Sequence, residues 1–474
     1  QGRVVWADAQ ALFTLKDGTI TVEAASDVIV EKAGASLPEA YRHAMRKWFP
    51  ASGRMPDPLF FSAPQINTWI ELAYHQNEAD ILKYAQSMLD NGVPAGVLMI
   101  DDTWQAGYGD WRFEPTRFRD PKGMMDRLHA MGYKVMLWMC PYVGMDIPAF
   151  RRIAWGTNPD DVKGYPVKGG FLAEKGKRPA ANGRVAAKPC HWWNGISAFL
   201  DFSHPNANAW FTETLDGLVR DYGVDGFKLD GADLTAYNLN TCEALDPKAT
   251  NGSLNNGYAA YALKYPFCEI RNLWRLQQMP VVVRLHDKPH TWEALRRITA
   301  DMIAAGLLGQ PFICPDMVGG GEWTTFIPGS PFEPDLFVRS AQIHALCPMM
   351  QFSASPWRVL DAERQKIVRD TVALRQKFAP LFVELARKAA VDGEPILRSL
   401  EYNYPNQGYA AVIDQFMMGT DLLVAPQMDK GAATRTVVVP PGTWTADDGT
   451  TVVGPKTVTV ATPLSRLPHF VRVR

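Results

Sequence analysis

From about residue 60 to about residue 380, short apolar runs alternate with stretches whose apolar residues recur at helical spacing. The runs are Ile66–Leu72, Gly96–Ile100, Lys134–Met139, Gly226–Leu229, Pro280–Leu285, Gln310–Cys314 and Met349–Phe352. The stretches between them include Asn77–Asn91, Pro121–Met131, Ala207–Tyr222, Trp292–Leu307 and Asp335–Leu346. Strands that are apolar throughout, alternating with helices, read as a parallel sheet buried on both faces. About eight such units over roughly 320 residues predict an α/β fold of the (β/α)8 TIM-barrel type, not an open doubly wound sheet. No Gly-x-Gly-x-x-Gly follows the first runs, which argues against a dinucleotide site.

The flanks follow other patterns. Residues 1–58 read as a short β segment with strands Val4–Trp6, Ala11–Lys16, Thr19–Ala24 and Val28–Glu31, then a helix Pro38–Trp48. The barrel is expected over 59–384, interrupted by two irregular insertions. One, at 144–200, is rich in Gly, Lys and Pro and ends in Cys190-His-Trp-Trp193; the other, at 234–262, is rich in Asn and Gly. Long loops of this kind are functional or disordered, and on a barrel they would rim the active-site face. Over 385–474 the helices stop. The short strands Val412–Phe416, Leu422–Ala425, Thr436–Val439, Thr451–Val453 and Lys456–Val460 are split by Pro440-Pro-Gly442 and Asp447-Asp-Gly449, and they predict a C-terminal β-sandwich.

Barrel enzymes place their chemistry where the strands end. The runs end in Asn67-Thr-Trp69, Asp101-Asp-Thr-Trp104, Trp138-Met-Cys-Pro-Tyr142, Lys228-Leu-Asp230, Arg284-Leu-His-Asp287, Cys314-Pro-Asp316 and Gln351-Phe-Ser353. One such Asp is readily a helix cap; acidic residues at several equivalent ends are hard to explain by capping. Gly226-Phe-Lys-Leu-Asp-Gly-Ala-Asp233 carries two carboxylates three positions apart, and a buried carboxylate is unfavourable without a partner. Paired carboxylates with aromatic walls are the equipment of glycoside hydrolysis. Carboxylates also hold Mg²⁺ or Ca²⁺, but Lys228 and Arg284 beside them would compete with a cation, so no metal and no cofactor are expected.

Composition narrows this further. The net charge of -1 gives no reason to expect nucleic acid or an anionic membrane surface as partner. There is no apolar run long enough to span a membrane. The 15 Trp fit a large core or a sugar pocket, and several lie at strand ends. None of the 6 Cys forms a CxxC pair, so a zinc site is not expected. The start at Gln1 is compatible with a removed signal peptide, giving a secreted or periplasmic expectation with a cytoplasmic alternative. In an exported protein, two of Cys190, Cys242 and Cys268 could pair.

With these residues in view, the chain resembles glycoside hydrolase family 31, retaining exo-α-glycosidases on a (β/α)8 barrel. The resemblance rests on Asp230 and Asp233, on Arg284 and Asp287 ahead of Asp316-Met-Val-Gly-Gly320, and on Asp201-Phe-Ser-His-Pro205. It extends to the tail: Gly419-Thr-Asp-Leu-Leu-Val-Ala-Pro426, Val439-Pro-Pro-Gly-Thr-Trp444 and Pro468-His-Phe-Val-Arg472. It implies an oligosaccharide or glycoside substrate, with Asp230 as nucleophile and Asp287 as acid and base. Asp101 and Asp102 would bind hydroxyls of the terminal sugar. Trp69, Trp138 and Trp323 would wall the pocket, and Lys228 and Arg284 would keep Asp230 ionised. Asp316 and Gln351 would join the binding set, with Asp233 and His286 in support. Asp287 is expected to have a raised pKa. Where α-glucosidases of the family carry Arg-x-His, this chain has Gln351-Phe-Ser353. With Asp101-Asp102-x-Trp104, that departure suggests an α-galactosidase-type branch. The same machinery would serve an α-glucosidase, an α-xylosidase or a transglycosidase, and a non-catalytic carbohydrate-binding protein is a further alternative.

Overall fold

The structure is a computed structural model describing all residues except 1–2, 7–10, 24–28, 156–168, 178–184, 234–236 and 474. Parts of both insertions, Ala24 and Val28 therefore lie outside the described residues.

Eight parallel strands form the central sheet: β1 (Gln65–Asn67), β2 (Val97–Ile100), β3 (Lys134–Met139), β4 (Gly226–Leu229), β5 (Phe267–Ile270), β6 (Val282–Arg284), β7 (Ile313–Cys314) and β8 (Gln351–Phe352). Their spatial order is β7-β6-β5-β4-β3-β2-β1-β8. A parallel bridge from Met317 to Gln351 closes the ring, with Val318 N donating to Gln351 O at 2.8 Å.

Two details differ from the sequence expectation. The run Ile66–Leu72 is not one strand: β1 stops at Asn67, whose side chain accepts from Trp69 N at 2.8 Å, and Trp69–Leu72 turns into a helix. Phe267–Ile270 is a strand that the apolar pattern did not reveal. Asp287 thus follows the sixth strand, two along from β4.

Side chains alternate along a strand, so each barrel strand sends every second residue inward. Val135, Leu137, Phe227, Leu229, Cys268, Ile270 and Val283 join the core under the outer helices. Met99, Met136, Phe267 and Val282 fill the barrel floor. One step up, at the register Trp138–Lys228–Glu269, the inward residues turn polar. Gly226 opens β4 because a Cβ there would lie 1.5 Å from Phe267 O. The pattern predicts an apolar floor and a charged upper layer.

At the N-terminus Arg3–Trp6, Ala11–Lys16 and Thr19–Glu23 form a small antiparallel sheet. Ile29–Glu31 is not a strand; Ile29 and Val30 are each 91% exposed, with no face to bury them. Helix Leu37–Trp48 follows. The helix Ala362–Asp392 closes the barrel and runs past residue 384. Beyond it, six antiparallel strands hydrogen-bond as one sheet: Leu397–Arg398, Phe416–Met418, Leu422–Val424, His469–Arg472, Thr434–Ala446 and Thr451–Ala461. Phe416, Met418, Leu422 and Val424 pack into the same core as Phe378 and Phe382 of the closing helix. Met417, Leu423, Trp444 and Phe470 make the separate core of the C-terminal part. Cys140, Cys268, Cys314 and Cys347 are buried free thiols, so Cys268 takes no part in a disulfide.

Candidate active site

A cavity of about 390 Å³ opens at the C-terminal ends of the barrel strands. Eight of the expected residues line it: Trp69, Asp101, Asp102, Trp138, Lys228, Asp230, Asp287 and Trp323. Tyr74, Trp193, Arg271, Met317, Gly321 and Glu322 complete the lining and were not foreseen.

Asp230 follows β4 on its inward side, and protein donors hold both its oxygens. Oδ2 accepts from Trp138 Nε1 at 2.8 Å; Oδ1 accepts from Gly231 N at 2.9 Å and Arg271 Nη1 at 3.1 Å. Burial alone would raise its pKa. Lys228, Arg271 and Arg284, with the Trp138 hydrogen bond, outweigh that and hold the carboxyl well below the ordinary range. Arg271 also pairs with Asp233 at 3.3 Å and lies over the Trp193 ring. Asp233, further held by Asn272, therefore anchors Arg271 and does not line the cavity.

Lys228 Nζ donates to Asp101 Oδ2 at 2.7 Å, both side chains being almost fully buried. Asp102 is equally buried and held by more hydrogen bonds. It accepts from Thr103 N (2.6 Å), Gln105 Nε2 (3.1 Å), Tyr108 OH (3.1 Å) and Asn194 Nδ2 (2.6 Å). Burial, aided by the neighbouring Asp101 charge, pushes it up to about 6. Asn194 also accepts from Tyr74 OH at 3.0 Å. The turn Trp193-Asn194 between strands Pro189–Trp192 and Gly195–Phe199 thus reaches the cavity.

Five expected residues do not line the cavity. Arg284 lies beneath it, pointing inward from β6, with Nη1 donating to Asp287 Oδ1 at 2.6 Å and Asp316 Oδ1 at 3.0 Å. Asp316 is fully buried and accepts from Lys288 N at 2.8 Å, so it braces the loop and is not placed to meet a sugar. Gln351 is fully buried and crosses the barrel interior to Glu269 Oε2 at 2.9 Å. His286 points away, exposed. Asp233 is the fifth. Trp69, Tyr74 and Trp323 stack edge to face at the rim.

Asp287 sits in the cavity wall with its side chain 45% exposed. Burial raises its pKa, but Arg284 and Lys228 together overcome that and lower it. The expected raised value is therefore not found: a guanidinium bonds this carboxyl directly. Its position depends on glycine, since a Cβ on Gly321 would come within 2.7 Å of the Asp287 carboxyl. Gly320, at φ +95, takes a left-handed conformation while Gly321 N donates to Lys288 O. Other positive-φ residues cluster nearby: Ala73, Thr103, Ala232 and Asp316. Such strain concentrates at functional sites.

Among the described residues, no group of His, Cys, Asp and Glu is arranged to hold a metal ion. No described helix is long and apolar enough to cross a membrane.

Fold and site together define a (β/α)8-barrel protein with an acidic, tryptophan-walled cavity at the C-terminal strand ends. Two family models match it: the glycosyl hydrolases family 31 TIM-barrel domain over residues 63–385 and the glycosyl hydrolase family 31 C-terminal domain over residues 393–473. The chain belongs to glycosyl hydrolase family 31. It is 30% identical over 426 residues to the myogenesis-regulating glycosidase of Mus musculus, covering 88% of this chain and 57% of that protein. It is 24% identical over 420 residues to an alpha-xylosidase of Emericella nidulans, covering 83% of this chain and 49% of the other. The chain thus spans about half the length of these curated relatives. A soil-metagenome family 31 α-xylosidase solved with xylose superposes with a TM-score of 0.80, at 21% identity, over 98% of this chain and 71% of that one. That likeness shows the fold. None of the three is named a galactosidase, so they lend no support to the α-galactosidase-type branch.

Proposed function

We propose that the chain carries the site of a retaining, exo-acting α-glycosidase with Asp230 as nucleophile and Asp287 as acid and base. The observation that carries this reading is the contrast between the two carboxylates. Asp230 is buried with each oxygen held by a donor, while Asp287 is open to the cavity from another strand. A nucleophile must stay ionised and aimed; an acid must reach solvent and the leaving oxygen. Asp230 attacks the anomeric carbon as the glycosidic bond breaks. Asp287 protonates the departing oxygen, then takes a proton from the water that releases the sugar with its α configuration retained. Retention predicts carboxyls about 5–5.5 Å apart. The exo mode is supported by the hydrogen bonds that knit Tyr74, Tyr108 and Asn194 to Asp102 beside the cavity.

Asp101 is the better acceptor for sugar hydroxyls. The lone pairs of Asp102 are largely used by protein donors, so it shapes the wall. The preferred substrate is a terminal α-xyloside or α-glucoside. Two of the compared proteins are α-xylosidases, and xylose and glucose share their ring hydroxyl configuration. A terminal α-galactoside is the second reading. It is favoured by β8: in place of Arg-x-His, Gln351 and Ser353 are fully buried, Ser353 accepting from Ile70 N at 2.8 Å. No hydroxyl donor then comes from that strand. A panel of nitrophenyl α-glycosides separates the two, and NMR of the first product anomer tests retention. Binding without turnover of any α-glycoside would sink the catalytic reading.

A further inference from the structure

We propose that Asp287 and Asp316 act as one acid: the two carboxyls share a single proton across Arg284, and Asp316 is the positioning residue that keeps this proton available to Asp287. The inference rests on the glycosidase reading of the site.

The geometry makes full ionisation expensive. Arg284 Nη1 bonds Asp287 Oδ1 at 2.6 Å and Asp316 Oδ1 at 3.0 Å, so both oxygens meet at one nitrogen. On its other side, Arg284 Nε faces Glu269 Oε1 at 3.3 Å. One guanidinium thus serves three carboxylates, of which Glu269 and Asp316 are buried and Asp287 opens to the cavity. Like charges crowded this closely do not all ionise. The other charged neighbours do not restore balance. Lys228 bonds Asp101, and Arg271 bonds Asp230 and Asp233, so both cations act on Asp287 only from a distance, while Asp230 adds negative charge opposite it. The Lys288 ammonium is turned to Pro315 O and to Asp301, both at 3.5 Å, while only its backbone N–H reaches Asp316. His286 is exposed beside them.

Asp316 is the natural resting place of the proton. It is fully buried, and burial, followed by the Asp287 charge, pushes it up to about 7. Asp287 faces the cavity and shares Arg284 Nη1 with Asp316, so a proton resting on Asp316 reaches the cavity through Asp287. When the glycosidic bond breaks, its electron pair goes to the leaving oxygen, Asp230 bonds the anomeric carbon, and Asp287 gives its proton to that oxygen. In the second step water bonds the anomeric carbon as the Asp230 bond breaks, and the water's proton returns to the pair.

The test is Asp316→Asn, assayed with an alkyl α-glycoside, whose leaving group needs a proton, and with a 2,4-dinitrophenyl α-glycoside, which leaves without one. Asn removes the second charge, so Arg284 holds Asp287 lower. The basic limb of kcat/KM for the alkyl glycoside should move down by on the order of one pH unit. The loss at neutral pH should be at least about tenfold smaller for the dinitrophenyl substrate. An unmoved limb, or equal loss on both substrates, overturns the proposal. If the variant does not fold, carboxyl carbon NMR of the wild-type chain decides. Two-step titrations shared by Asp287 and Asp316 support the pair, and two independent single steps overturn it. A wild-type chain that turns over no α-glycoside would instead remove the underlying functional reading.

Discussion

Replacing Lys228 by Met should strip from Asp101 the cation that it bonds in the buried layer. The pair stands at 2.7 Å with side chains 6% and 3% exposed. At an effective dielectric of about 20, that separation corresponds to an attraction of about 6 kcal/mol. Desolvation of both groups offsets much of it. What remains visible is the penalty of leaving one partner behind, about 3–5 kcal/mol. Lys228→Met should therefore destabilise the chain by about that amount. Asp101→Asn should lose less, because Asp230 and Glu269 still surround the ammonium. The double variant should regain part of the loss, giving a coupling energy of about 2–3 kcal/mol in a double-mutant cycle. Denaturant unfolding followed by Trp fluorescence measures all three. Activity adds a second reading. Lys228 is the foremost of the charges that lower Asp230, so Lys228→Met should shift the acid limb of kcat/KM upward. Strictly additive single losses, with an unmoved acid limb, would refute the reasoning.

Three further outcomes are expected. Asp102 is raised to about 6, so its charge is present above that pH and lost as pH falls through it. KM for the sugar should rise on the acid side of about 6, and a KM flat from pH 5 to pH 7.5 would count against its role in the wall. Gly321→Ala drives a methyl into the Asp287 carboxyl and should lower kcat by roughly ten- to a hundredfold on poor leaving groups, with a smaller loss on dinitrophenyl substrates. Arg375 is a fully buried cation donating to Phe61 O, Cys347 O and Pro348 O at 2.8–3.0 Å. Arg375→Met leaves these carbonyls unpaired and should cost about 3–5 kcal/mol in a thermal or denaturant melt.

Much of the architecture was legible because barrel strands are apolar on both faces. Lys134–Met139 and Gly226–Leu229 stand out with their observed bounds. Phe267–Ile270 has no clear apolar signature because its inward residue is Glu269, which breaks the apolar run that a buried strand normally shows. With it went Arg271, the residue that ties Asp230 to Asp233. The same alternation that hid the strand could have exposed it, since Phe267, Glu269 and Arg271 lie two apart. Gln351 and Asp316 lie away from the cavity for a related reason. A polar residue at a strand end is a candidate ligand in sequence, but its height along the strand decides whether an inward side chain reaches the cavity or stays in the barrel interior. Tyr74 and Asn194 had no sequence signal, because they meet only through loops whose course the fold sets.

The central claim is that Asp230 bonds the sugar. Incubating the chain with a 5-fluoro-α-glycosyl fluoride of the preferred sugar, followed by proteolysis and mass spectrometry, tests it most directly. The account predicts one added fluoroglycosyl group, on the peptide containing Gly226–Asp233 and attached at Asp230. Attachment to another carboxylate, or steady turnover with inverted product and no trapped species, would contradict it.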